Sequence, residues 1–137
     1  MANTTFSGPV RSENGFESIT KNATTGAITT NATYGKSIIA SVQALAGAGA
    51  ADITNLVTEC TASATGNVVT LADGSAGQMK IVSMVGEAAG TDTIVLTPAT
   101  FAGGTTITFD TVGESATLIY NATIGWVLVS NNGGTVA

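Results

Sequence analysis

Histidine is absent from this 137-residue chain. That removes the side chain that most often acts as a general base near neutral pH and most often ligates transition metals. Ser-His-Asp and Cys-His catalytic sites are therefore excluded. Charge is scarce as well: 9% of residues are Asp, Glu, Lys or Arg, against about 25% in ordinary soluble domains. The four bases, Arg11, Lys21, Lys36 and Lys80, are scattered among nine acids and leave a net charge of −5. No basic footprint for nucleic acid results, and no basic amphipathic face for a membrane surface. No apolar run approaches the roughly 18 residues of a transmembrane helix. Met1 to Arg11 is polar and lacks the basic and apolar regions of a signal peptide, so none is expected. The single Cys60 has no intrachain disulfide partner. In Val57-Thr58-Glu59-Cys60-Thr61 it reads as a small apolar filler of a strand.

The chemistry left to such a chain is thin. Asp73, Glu87, Asp92, Asp110 and Glu114 lie in or beside expected turns, where solvated carboxylates are ordinary. A glycosidase needs two carboxyls about 5–9.5 Å apart in a cleft, and short turns on a small domain offer little cleft. Asp73-Gly74-Ser75 lacks the spaced acids of a calcium loop. Gly103-Gly104 lacks the Lys and following helix of a phosphate loop. No catalytic residue, metal or cofactor is expected. Four Asn-x-Ser/Thr sequons, at Asn3, Asn22, Asn31 and Asn121, follow from abundant Thr and imply no glycan without a secretory leader.

What is present is a pattern of short strands. One domain fits the length, with one modest core. Residues 1–35 are rich in Asn, Thr and Gly, and their apolar residues are too sparse to bury a core alone. Short extended pieces are expected at Gly15–Thr20 and Gly26–Thr30, the second following a Thr25-Gly26 turn. We read this segment as an extended N-terminal arm whose Phe6, Pro9, Val10 and Phe16 contact a neighbour. A disordered tail is the alternative. Residues 36–52 carry both a helical reading, with Ser37 as N-cap, and an alternating one, and the strand is chosen.

Beyond Ala51 the period is two. Strands are expected near Ile53–Thr61, Asn67–Ala72, Gln78–Val85, Thr93–Thr97, Thr105–Phe109, Ala116–Tyr120 and Gly125–Ser130. Asp73-Gly74 is the strongest hairpin signal. Several short strands about ten residues apart predict an all-β domain over 36–137, a β-sandwich or jelly-roll-like fold. The last two strands are apolar on both faces, so one face should meet the core and the other a second sheet or another subunit. Leu118, Tyr120, Trp126 and Leu128 are the candidates for self-association. So little charge suits assembly, because interface cores are depleted of charge; a neutral, hydroxyl-rich extracellular β-domain is the competing reading.

Two stretches carry a family resemblance. Met1-Ala2-Asn3-Thr4-Thr5-Phe6-Ser7-Gly8-Pro9-Val10-Arg11, continuing to Phe16, resembles the start of virion structural proteins of marine tailed bacteriophages, cyanophages included. Val69 through Ile81, Gly103-Gly104-Thr105-Thr106-Ile107-Thr108-Phe109 and Gly125-Trp126-Val127-Leu128-Val129 resemble a β-rich module of phage and large-virus capsid and appendage proteins. The resemblance implies a head decoration or cement protein on the capsid exterior. Its partners would be the major capsid protein and copies of itself, as a homotrimer, and it supplies no catalytic residues. A tail-fibre or knob protein contacting the host is the first rival. A carbohydrate-binding β-sandwich is the second, weakened by an aromatic content of 5%.

Overall fold

In the computed structural model, residues 16–34, 38–39 and 41–137 are described. They divide into two units, residues 1–40 and 41–137. The boundary thus falls five residues after the expected end of the arm.

The first unit holds strands β1 (Phe16–Lys21), β2 (Ile28–Tyr34) and β3 (Ile38–Ile39), paired antiparallel in that order. The two expected extended pieces correspond to β1 and β2, so from Phe16 onward this segment is a small sheet rather than a single extended arm. Asn22 builds the turn between them. Its side-chain oxygen accepts from the Thr24 and Thr25 amides, both at 2.9 Å, an Asx turn of the ordinary kind. Phe6, Pro9 and Val10 lie outside the described residues.

The second unit contains β4 (Val42–Ala46), β5 (Gly49–Ala51), β6 (Val57–Ala62), β7 (Asn67–Leu71), β8 (Met79–Glu87), β9 (Ile94–Pro98), β10 (Ile107–Phe109), β11 (Ser115–Asn121), β12 (Gly125–Asn132) and β13 (Thr135–Val136). No helix occurs among the described residues. The unit is a β-sandwich of two five-stranded mixed sheets, ordered β12-β11-β8-β6-β4 and β13-β10-β9-β7-β5. The ambiguous stretch after Lys36 is β-structure where it is described.

The path of the chain differs from a run of hairpins. From β4 to β9 successive strands alternate between the two sheets, and each pairs in parallel with the strand one coil earlier: β4 with β6, β6 with β8, β5 with β7, β7 with β9. Three stacked coils result. The remaining strands pair antiparallel and complete both sheets on the far side. The Asp73-Gly74 hairpin expectation is therefore corrected, since that turn carries the chain from β7 in one sheet to β8 in the other. Gly74 serves a different need. A Cβ there would lie 3.0 Å from the Trp126 ring and 2.7 Å from the Gln78 side-chain oxygen, so the missing side chain makes room for the indole.

Inward residues follow the period of two. Thr58, Cys60 and Ala62 on β6, Lys80, Val82 and Met84 on β8, and Ala116 and Leu118 on β11 are buried. They face Val69 and Leu71 on β7, Ile94 and Leu96 on β9, and Ile107 and Phe109 on β10, which belong to the same core. Trp126 closes one end with no exposed surface. Its ring nitrogen donates to the Ala72 carbonyl at 2.9 Å, and Tyr120 meets it edge to face at a centroid distance of 5.2 Å, a geometry aromatic quadrupoles favour.

Candidate functional site

Four side chains were expected to mediate self-association, and the fold consumes them. Leu118 and Trp126 are fully buried in the unit's own core, while Tyr120 and Leu128 pack partly against it. That assignment is corrected by strand parity: these residues share the inward face, and their neighbours Ile119, Val127 and Val129 point outward. Phe16, expected to contact a capsid or neighbour, opens β1.

The outward face of the β4-containing sheet carries the most distinctive surface. Ladder register places Val42, Val57, Ile81 and Thr117 side by side across four strands. In the adjacent row, Met79, Ile119 and Val127 are neighbours across β8, β11 and β12. Val42 is 52% exposed, Met79 48% and Ile119 36%, with Val57, Ile81 and Val127 half-buried. At a strand spacing near 4.8 Å this apolar stripe runs roughly 20 Å across the sheet. The row beyond it is Ala44, Glu59, Ser83 and Ser115. β-branched residues suit a strand on either face, but six apolar side chains clustered outward exceed what scattered surface residues require.

Charge is distributed unevenly. Residues 41–137 contain seven acids (Asp52, Glu59, Asp73, Glu87, Asp92, Asp110 and Glu114) and a single base, Lys80. Lys80 is fully buried. The exterior of this unit therefore carries no positive side chain.

The surroundings of Lys80 explain how an ammonium came to be inside. Its Nζ donates to the carbonyls of Asp52 and Asn55, both at 2.8 Å. These carbonyls belong to the β5–β6 connection, where sequence reasoning placed the start of a strand at Ile53. That expectation is corrected: Asp52 instead makes an Asx turn, accepting at Oδ1 from the Thr54 amide (2.8 Å) and hydroxyl (2.7 Å). The Gln78 side chain donates to the Ile53 carbonyl, and Gln43 accepts from the Asp52 amide and the buried Thr58 hydroxyl. A polar clasp thus ties the turn to three strands of one sheet. Burial pulls the Lys80 pKa down from 10.5 to about 8, opposed by the charge of Asp52. Burial likewise pushes the Cys60 thiol from 9.0 up to about 11. The Thr54 hydroxyl and amide hold the exposed Asp52 carboxyl below its ordinary value, with a smaller contribution from Lys80. Nothing in sequence alone distinguished Lys80 from the other three bases except its place in an alternating run, Lys80, Val82, Met84.

An open, shallow groove lies along the ends of β7 and β9, lined by Thr70, Leu71, Ala72, Thr97, Pro98 and Ala99. It contains no titratable group. Among the described residues no three of His, Cys, Asp or Glu come together. The arrangement offers faces for contact. No protein-family model matches the chain, and no curated protein matches it.

Proposed function

We propose that this chain is a virion structural protein, a capsid decoration or cement protein that binds the assembled major capsid protein lattice from outside and stabilises the head, acting as a homo-oligomer. The single observation that carries the reading is the outward apolar stripe Val42–Val57–Ile81 with Met79–Ile119–Val127, on a unit whose exterior has no positive charge. Such a face is suited to lasting burial against another protein surface. Many copies, each contributing a modest contact, hold a preformed lattice more firmly than one contact could. The sequence resemblance to virion proteins is what favours a capsid as that lattice.

The test is co-sedimentation of the purified protein with heads lacking it. Wild-type protein should pellet with the heads, and Ile119→Asp combined with Val127→Asp should abolish this while leaving the circular dichroism spectrum intact. Equal binding by the variant would reject the stripe as the contact. A tail-fibre or knob protein is the second reading, resting on the same β-module resemblance; it predicts labelling of tails rather than heads.

A further inference from the structure

The sandwich has four sheet edges, and three are guarded. Natural β-proteins blunt edges with bulges, short strands or covering groups, because a bare edge pairs with any free strand. On β12, the register shift opposite Thr117/Leu118 leaves Val129 unpaired as a bulge. β13 is only two residues long. β5 has three residues, and its Ala50 carbonyl is occupied by the Gln43 side-chain amide at 2.9 Å. β4 differs: five residues, Val-Gln-Ala-Leu-Ala, with no charge, no proline and no bulge.

Ladder parity identifies its free groups. The Val57 amide donates to Ser41 O and the Gly47 amide to Thr61 O. In a parallel ladder this assigns the backbones of Ser41, Gln43, Leu45 and Gly47 to the β6 side. The amides and carbonyls of Val42, Ala44 and Ala46 then point away from the sheet, and among the described residues no strand pairs with them.

We propose that β4 is a strand-addition edge whose occupant is β4 of a second copy, paired antiparallel about a two-fold axis through Ala44. The edge is complementary to itself. Centred on Ala44, the pairing sets Val42 opposite the other copy's Ala46, and each of these residues exchanges both backbone bonds as an antiparallel hydrogen-bonded pair does. An isologous contact needs just this self-match. Within residues 41–137 the side chains along this edge are small: Ala44 and Ala46 lie on β4, and Ala48 and Ala50 follow. Charge does not oppose it either. The acid beside Ala44 in the ladder is Glu59, one strand in. Its mate would be three strand spacings away, about 14 Å, beyond the Debye length of about 8–10 Å at ordinary salt. The result is a continuous sheet running through both copies. This inference does not rest on the virion reading, and its two-fold pairing departs from the three-fold association that the resemblance implies.

Ala44→Pro tests it. Proline is tolerated on an edge where the amide faces outward, so the variant should keep its circular dichroism and Trp126 fluorescence. It removes the two amide bonds across the axis and should weaken self-association by roughly twentyfold or more, read by sedimentation velocity on the full chain. Alongside it, hydrogen exchange on the unaltered protein should show Val42, Ala44 and Ala46 amides protected at high concentration and exposed on dilution. A monomeric full chain at high micromolar concentration overturns the proposal, as does an oligomer that Ala44→Pro leaves intact. Protection that does not change on dilution also overturns it, because the chain's own N-terminal residues would then be covering the strand.

Discussion

Lys80 makes the stability of the sandwich depend on pH in a direction opposite to that of a salt-bridged lysine. The ammonium is fully buried and its pKa falls from 10.5 to about 8. The folded state therefore gives up its proton at lower pH than the unfolded chain does. Between about pH 8 and 10.5 the unfolded chain binds more protons, so stability rises with pH. The contribution is fully present above 10.5 and is lost as pH falls through about 8. At about 1.4 kcal/mol for each pKa unit, this amounts to about 3 kcal/mol. A neutral amine can still donate both bonds to Asp52 and Asn55, so the clasp survives deprotonation. Cys60 acts the other way. Its thiol stays protonated to about 11 in the fold but ionises at 9.0 when unfolded, so stability present below 9.0 is lost between 9.0 and about 11. The measurement is urea unfolding from pH 7 to 11 of Cys60→Ala and of Cys60→Ala/Lys80→Met, taken as a difference so that every other titrating group cancels. The difference should swing by about 3 kcal/mol in favour of the lysine-containing protein as pH rises. A flat difference curve would show that Lys80 keeps an ordinary pKa and that its burial costs little, refuting the reasoning.

Further outcomes follow from the packing. Trp126→Ala should destabilise the fold by about 3–5 kcal/mol, the usual cost of emptying a large aromatic site, measured by chemical denaturation; a loss under about 1 kcal/mol would mean the indole is not part of the core. Gly74→Ala should cost about 1–3 kcal/mol through overpacking against that ring, and the combination with Trp126→Phe should recover part of it, visible as a non-additive double-mutant cycle. Val85→Lys, on the outward face away from the stripe, should leave stability within about 0.5 kcal/mol and leave head binding unchanged in the pelleting assay.

The individual strands were legible because their apolar residues keep a period of two. Ile107 and Phe109 share a face with polar Thr108 between them, and Ala116 and Leu118 share one with Thr117 between them. Their partners were not legible. Asp73-Gly74 has the local chemistry of a hairpin, yet local chemistry sets only how the chain turns, not which sheet it enters next. Whether a strand pairs with its predecessor or with one a coil earlier depends on long-range packing that turn residues do not encode. The same limit hid the Asp52–Leu56 turn, because Ile53 and Leu56 supply apolar positions that read as strand. For the two-faced strands β11 and β12, sequence showed that both sides were apolar but not which side the core would take. The core took the side with Trp126 and Leu118, leaving Ile119, Val127 and Val129 outward. Lys80 was equally hidden, since a long polar side chain in a strand ordinarily marks the solvent face.

Quantitative mass spectrometry of heads and tails purified from virions of a tailed phage that encodes this chain tests the central claim most directly. The account predicts that the chain is recovered with heads in a fixed proportion to the major capsid protein and is released only when the heads are disrupted. Recovery solely with tails, at the low copy number of an appendage, or absence from purified virions, would contradict it.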